Sequence, residues 1–76
     1  MPKLPRVNGY RVISVLEKFG FQQIRTKGSH VILRSNTGQL VVVPVHGSQI
    51  LHTGTLASIL REANISVDDF CAVLAK

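Results

Sequence analysis

The sequence predicts an α+β domain in which helices cover one face of a three-stranded antiparallel sheet. Three observations carry that expectation. Apolar residues recur with helical spacing near both ends, three short β-rich segments fill the middle, and turn residues separate them. The chain has 76 residues, room for one domain, expected to span 1–76. A chain of this size buries only about 60% of the surface its unfolded form exposes, so it tolerates few buried polar groups. Its composition, 45% apolar and 17% charged, excludes a disordered chain.

Residues 1–7 read as an extended lead-in containing Pro2 and Pro5. Asn8 is a good N-cap, and Val12, Leu16 and Phe19 follow at i, i+4 and i+7 with Ile13 beside them. Gly20 suits the left-handed position that ends a helix, so helix one is expected over Gly9 to Phe19. Strands are expected over 21–26, 29–34 and 39–45. Lys27-Gly28 would be a two-residue hairpin turn, and Ser35 to Gly38 a second turn. Pro44 places the third strand at a sheet edge or near its own end. Residues 46–53 form a loop with Gly47 and two histidines. Leu56, Ile59, Leu60 and Ala63 have helical spacing, with Asn64 as the stop. Ser66 caps a final short helix with Asp69 at N3, and Ile65 and Phe70 occupy the positions of a hydrophobic staple. Val67, Phe70, Cys71 and Leu74 form its stripe, which makes Cys71 a core residue.

The proposed turns set a register. Lys27-Gly28 puts Thr26 opposite Ser29 and Arg25 opposite His30. Alternation along the strand then separates Val31 and Leu33, which should face the helices, from His30, Ile32 and Arg34. His30 is therefore expected on the open face, with Arg25 across and Lys27 close by in the turn. The second turn pairs Arg34 with Gln39, leaving Ile32, Val41 and Val43 as an apolar patch on that face, a feature that signals a partner. A one-residue shift would reverse that last assignment.

Charge is unevenly spread. Nine Lys and Arg against four Asp and Glu give a formal net charge of +5. The stretch between Glu17 and Glu62 has no carboxylate, yet holds Lys18, Arg25, Lys27, Arg34 and Arg61. Such a cationic field favours a polyanion, nucleic acid above all. The same shortage of carboxylates excludes a two-metal phosphodiesterase site, so any nuclease activity should need no metal. His30, His46 and His52 match no common zinc-ligand spacing, and the lone Cys71 excludes a disulfide scaffold. No apolar run follows Lys3 and Arg6, and the longest, Leu40 to Val45, is far short of a membrane span. The expectation is a cytoplasmic protein without a membrane or cofactor.

The stretches Leu4-Pro5-Arg6, Gly20-Phe21, Lys27-Gly28-Ser29-His30, Val43-Pro44-Val45-His46-Gly47 and Gly54-Thr55-Leu56, continuing to Ile59-Leu60-Arg61, together resemble the HicA family. The likeness spans nearly the whole chain. It implies a fold like a double-stranded-RNA-binding domain, with the C-terminal helix as an addition. It also implies the toxin of a type II toxin–antitoxin system acting in stress responses: an mRNA interferase, an endoribonuclease restrained by a HicB-type antitoxin that covers the same surface. The catalytic histidine of its Gly-Ser-His motif falls on His30. One departure is His52, where many relatives have lysine.

An imidazole titrates near ~6.5, so both of its protonation states are available at neutral pH. His30 is thus the candidate catalytic acid or base toward a ribose 2′-OH. Arg25, Lys27, Ser29, Arg34 and His46 are the candidate RNA- and phosphate-binding residues. Gly28 and Gly47 serve backbone geometry. The expected partners are mRNA and the antitoxin, and a homo-oligomer is compatible with the reading. Two other classes compete: a non-catalytic RNA-binding module using the same basic face, and a helix-turn-helix from Gly54 onward reading DNA. The second would need base-reading polar residues on Leu56–Ala63, where few occur.

Overall fold

Helix, three-stranded meander, helix and short helix follow one another in the computed structural model, which describes residues 4–76. The first three residues of the expected lead-in, Pro2 among them, lie outside the described residues. Helix α1 spans Gly9–Lys18, and α2 and α3 span Thr53–Ala63 and Val67–Leu74. Strands β1 (Gln22–Lys27), β2 (His30–Arg34) and β3 (Leu40–Pro44) form an antiparallel sheet in the order β1-β2-β3. The α+β architecture is the one expected. Among the described residues, no helix is long and apolar enough to cross a membrane.

Local chemistry accounts for the helix ends. The Asn8 side chain accepts a hydrogen bond from the Arg11 amide at 2.9 Å, and Gly20 takes the left-handed backbone (φ 95°) just past the end of α1. Asn64 closes α2 in the same conformation at φ 59°. The Ser66 hydroxyl accepts from the Asp69 amide at 3.0 Å, opening α3 as expected. An Arg11 guanidinium N–H donates to the Leu74 carbonyl at 3.2 Å, placing a cation at the negative end of α3.

The two longer helices pack against β3, and α3 packs against α1. Val12, Leu16, Leu33, Val41, Val43, Leu56 and Phe70 are the most deeply buried side chains. Cys71 is half-buried against this core. The helix layer stops short of β1, every residue of which is exposed. That uncovered edge carries Arg25 and Lys27 and an irregularity at Ile24, devices that discourage pairing with another chain's strand.

Both hairpins differ from the expected register, the first by two positions and the second by one. The first turn is Gly28-Ser29, so Lys27 pairs with His30, Thr26 with Val31 and Arg25 with Ile32. Gly28 sits at φ 59°, the Gly-first pattern of a two-residue hairpin. The second connection takes five residues, Ser35 to Gln39, because the Ser35 hydroxyl accepts from the Gln39 amide at 3.1 Å and the Ser35 amide donates to the Gln39 carbonyl at 3.0 Å. Arg34 therefore pairs with Leu40 rather than Gln39, and Ile32 with Val42. Val41 and Val43, expected on the open face, are instead fully buried under the helices, and Leu40 and Val42 take their place outside.

Gly9 fixes the seat of α1. A Cβ there would lie 2.5 Å from the Pro44 carbonyl oxygen and 2.8 Å from the Val45 Cγ2. Backbone cannot yield cheaply, so Gly9→Ala is expected to lower stability by about 1–3 kcal/mol in urea unfolding. Nothing lies within 4 Å of a Cβ at Gly28, so Gly28→Ala tests conformation alone. Its left-handed backbone predicts a loss of about 1–2 kcal/mol by the same measurement.

Candidate functional site

Period-two alternation on β2 builds the site. Val31 and Leu33 are buried beneath the helices, which sends His30, Ile32 and Arg34 to the other face. His30 is the first residue of β2 and is exposed, as expected. Its cross-strand neighbours are Lys27 on β1 and Pro44 on β3. Direct pairing brings Lys27 to roughly 5 Å from His30, measured between Cβ atoms. Arg25 is not opposite His30 but two pairs further along, the next position on the same face and diagonal to it at about 7–8 Å. Arg25 and Lys27 remain on one face with His30 because each pairs with an outward residue of β2. Their order of proximity is the reverse of the expected one.

Ser29 is half-buried in the turn, and its carbonyl accepts from the Val45 amide at 2.6 Å. That bond ties the hairpin tip to the end of β3 and steadies the backbone entering His30. Arg34 shares the open face but sits four residues along β2, about 13 Å from His30. It can meet a polyanion that already lies at His30 but not the same phosphate. None of the three strands contains a carboxylate. The open face is thus cationic at Arg25, Lys27 and Arg34, with Ile32, Leu40 and Val42 forming an apolar stripe between them. Leu40 is 56% exposed and Val42 43%, so the stripe is accessible to a partner.

His46 stands in the exposed loop after β3. With Pro44, Gln49, Ile50, His52 and Thr55 it lines a cleft of about 270 Å³. Pro44, one wall of this cleft, is also the cross-strand neighbour of His30, although His30 itself does not line it. The loop is tied down where the Leu51 amide donates to the Val7 carbonyl at 2.9 Å and Ile50 bridges to Asn8. His52 is the N-cap of α2 but makes no side-chain capping bond. Sequence reasoning overlooked Pro44, Gln49 and Thr55 as neighbours of the site. Their signal was only proximity in the chain to His46 and His52, which spacing alone does not turn into a cleft. Among the described residues, no three His, Cys, Asp or Glu side chains gather closely enough to hold a metal ion.

This chain matches the family model described as the HicA toxin of bacterial toxin–antitoxin systems over residues 9–65, from the start of α1 to just past α2. No protein of curated function matches it. The matched span contains His30, its cationic neighbours and the cleft. The chain belongs to the HicA toxin family: it is a toxin of a toxin–antitoxin system, and its partner is a cognate antitoxin.

Proposed function

We propose that this toxin is an endoribonuclease that cleaves mRNA, with His30 as its proton-transfer group. The observation that carries the reading is one exposed imidazole, on a face without carboxylates, with Lys27 paired directly across from it. Acting as base, the imidazole takes the proton from a ribose 2′-OH. The 2′-oxygen then forms a bond to the adjacent phosphorus as the bond to the 5′-oxygen breaks. The 5′-oxygen leaves and takes up a proton, giving a 2′,3′-cyclic phosphate and a 5′-hydroxyl end. DNA lacks the attacking hydroxyl and should be spared.

Negative charge grows on the phosphoryl oxygens during this step. Lys27 is best placed to offset it, and Arg25 comes second. Arg34 and His46 are assigned to holding the strand to either side, and the Ser29 backbone to positioning His30. No step requires a metal ion.

Labelled RNA incubated with purified protein in EDTA tests the reading. Cleavage is expected in EDTA, and His30→Ala should slow it by about 10²–10⁴-fold, the usual contribution of general base catalysis. Lys27→Ala should cost about 10-fold or more, less than a fully desolvated oxyanion donor contributes. Binding without cleavage by the unaltered chain would replace the nuclease with an RNA-binding module.

The antitoxin, on this reading of HicB type, covers the open face. Its contact would centre on Ile32, Leu40 and Val42, with acidic groups meeting Arg25 and Arg34. Leu40 is exposed, so Leu40→Asp should leave the fold intact. It should weaken antitoxin binding by about 10-fold or more in calorimetry, since a buried apolar anchor is lost.

A further inference from the structure

Resting on the nuclease reading, we propose that the cleft beside His30 is a subsite for one unstacked nucleobase of single-stranded RNA. Its volume, about 270 Å³, falls just below the roughly 300–1,000 Å³ of sites for drug-sized molecules, which suits a planar heterocycle better than a whole nucleotide. The lining has the required chemistry. Pro44 and Ile50 supply apolar surface, and His46 and His52 supply flat imidazole rings. Unstacked RNA bases are held by stacking on such rings and read through hydrogen bonds at their edges. Gln49 brings an amide donor and acceptor side by side, and Thr55 brings a hydroxyl.

Position strengthens the assignment. Pro44 neighbours His30 across the β2–β3 ladder and also forms a wall of the cleft. A phosphodiester in contact with His30 would therefore have a flanking base at the cleft mouth. The walls are preorganised. Besides the Leu51–Val7 and Ile50–Asn8 ties, the Gln49 amide donates to the His46 carbonyl at 3.0 Å. Little ordering is needed on binding. His52 has no capping bond to its own helix, so stacking on a base would sacrifice none. The subsite would give this toxin a base preference next to the cut, with Gln49 as the main specificity-determining residue.

The test uses the full chain carrying His30→Ala, so that binding is read without cleavage. Amide resonances of the ¹⁵N-labelled protein are followed while adenosine, guanosine, cytidine and uridine monophosphates are added in turn, with ribose 5-phosphate as the baseless control. Shifts are expected at Gln49, Ile50, His52 and Thr55, with affinities that differ among the bases, and none there with ribose 5-phosphate. Gln49→Ala, which alters an exposed loop side chain, should reduce the difference between the best and worst base by about five-fold or more. Shifts confined to Arg25, Lys27 and Arg34, or equal with the baseless control, would overturn the subsite. Cleavage of labelled RNA by the unaltered chain is measured separately. Cleavage with an unshifted cleft rejects the subsite alone, whereas base-dependent shifts without cleavage reject the nuclease and keep the subsite.

Discussion

Burial of Val31, Leu33, Val41 and Val43 beneath the helix layer is the constraint from which the open face follows. A strand has only two sides, so seating these four residues in the core sends His30, Ile32, Arg34, Leu40 and Val42 outward together. No hydrogen bond or ion pair is needed to aim the imidazole. Its direction is set by the transfer of valine and leucine side chains out of water, each worth about 1.5–3 kcal/mol when fully buried. A one-residue slip of β2 would move His30 under the helices and bring Val31 and Leu33 into solvent. The register of the sheet and the placement of the site are one energetic choice.

The second determinant is the junction where α1 starts. Gly9 is buried against the Pro44 carbonyl and Val45, and Pro44 in turn lies beside His30 and forms a wall of the cleft. Helix seat, strand end and cleft wall therefore share one piece of backbone. The Val45–Ser29 hydrogen bond extends this region to the hairpin tip. Packing on the helix side thus bears on how His30 and the cleft sit relative to one another.

Much of this was legible in the residues. Helical spacing in Val12, Leu16 and Leu56 to Ala63, and the caps Asn8, Asn64 and Ser66, located the helices because their signals are local. The outward turn of His30 was legible because Val31 and Leu33 alternate with it. The register was not. Lys27-Gly28 and Gly28-Ser29 both read as two-residue turns, and the choice depends on which position must have positive φ. The glycine takes the first one. In the second hairpin, Ser35 and Gln39 bond to each other through side chain and backbone and absorb one more residue than a four-residue turn would. That single residue moved Val41 and Val43 from the open face to the core. The cleft was hidden for another reason: it joins Pro44 to residues of the following loop and of α2, and no periodicity encodes that meeting.

An open face also bears on how such a toxin is restrained. His30 and its cations stand in water, where each charge is weakened by a high dielectric. An RNA strand laid across the sheet would itself exclude part of that water, so the electrostatic contribution of Lys27 would grow only once substrate is bound. The apolar stripe of Ile32, Leu40 and Val42 sits among those same cations. A protein that buries the stripe must also cover the cations and the approach to His30. On the proposed reading, apolar contact gives the antitoxin its affinity and occlusion of the phosphate path follows from geometry. On that reading inhibition needs no conformational change in the toxin, because one surface would attract both the polyanion and the protein.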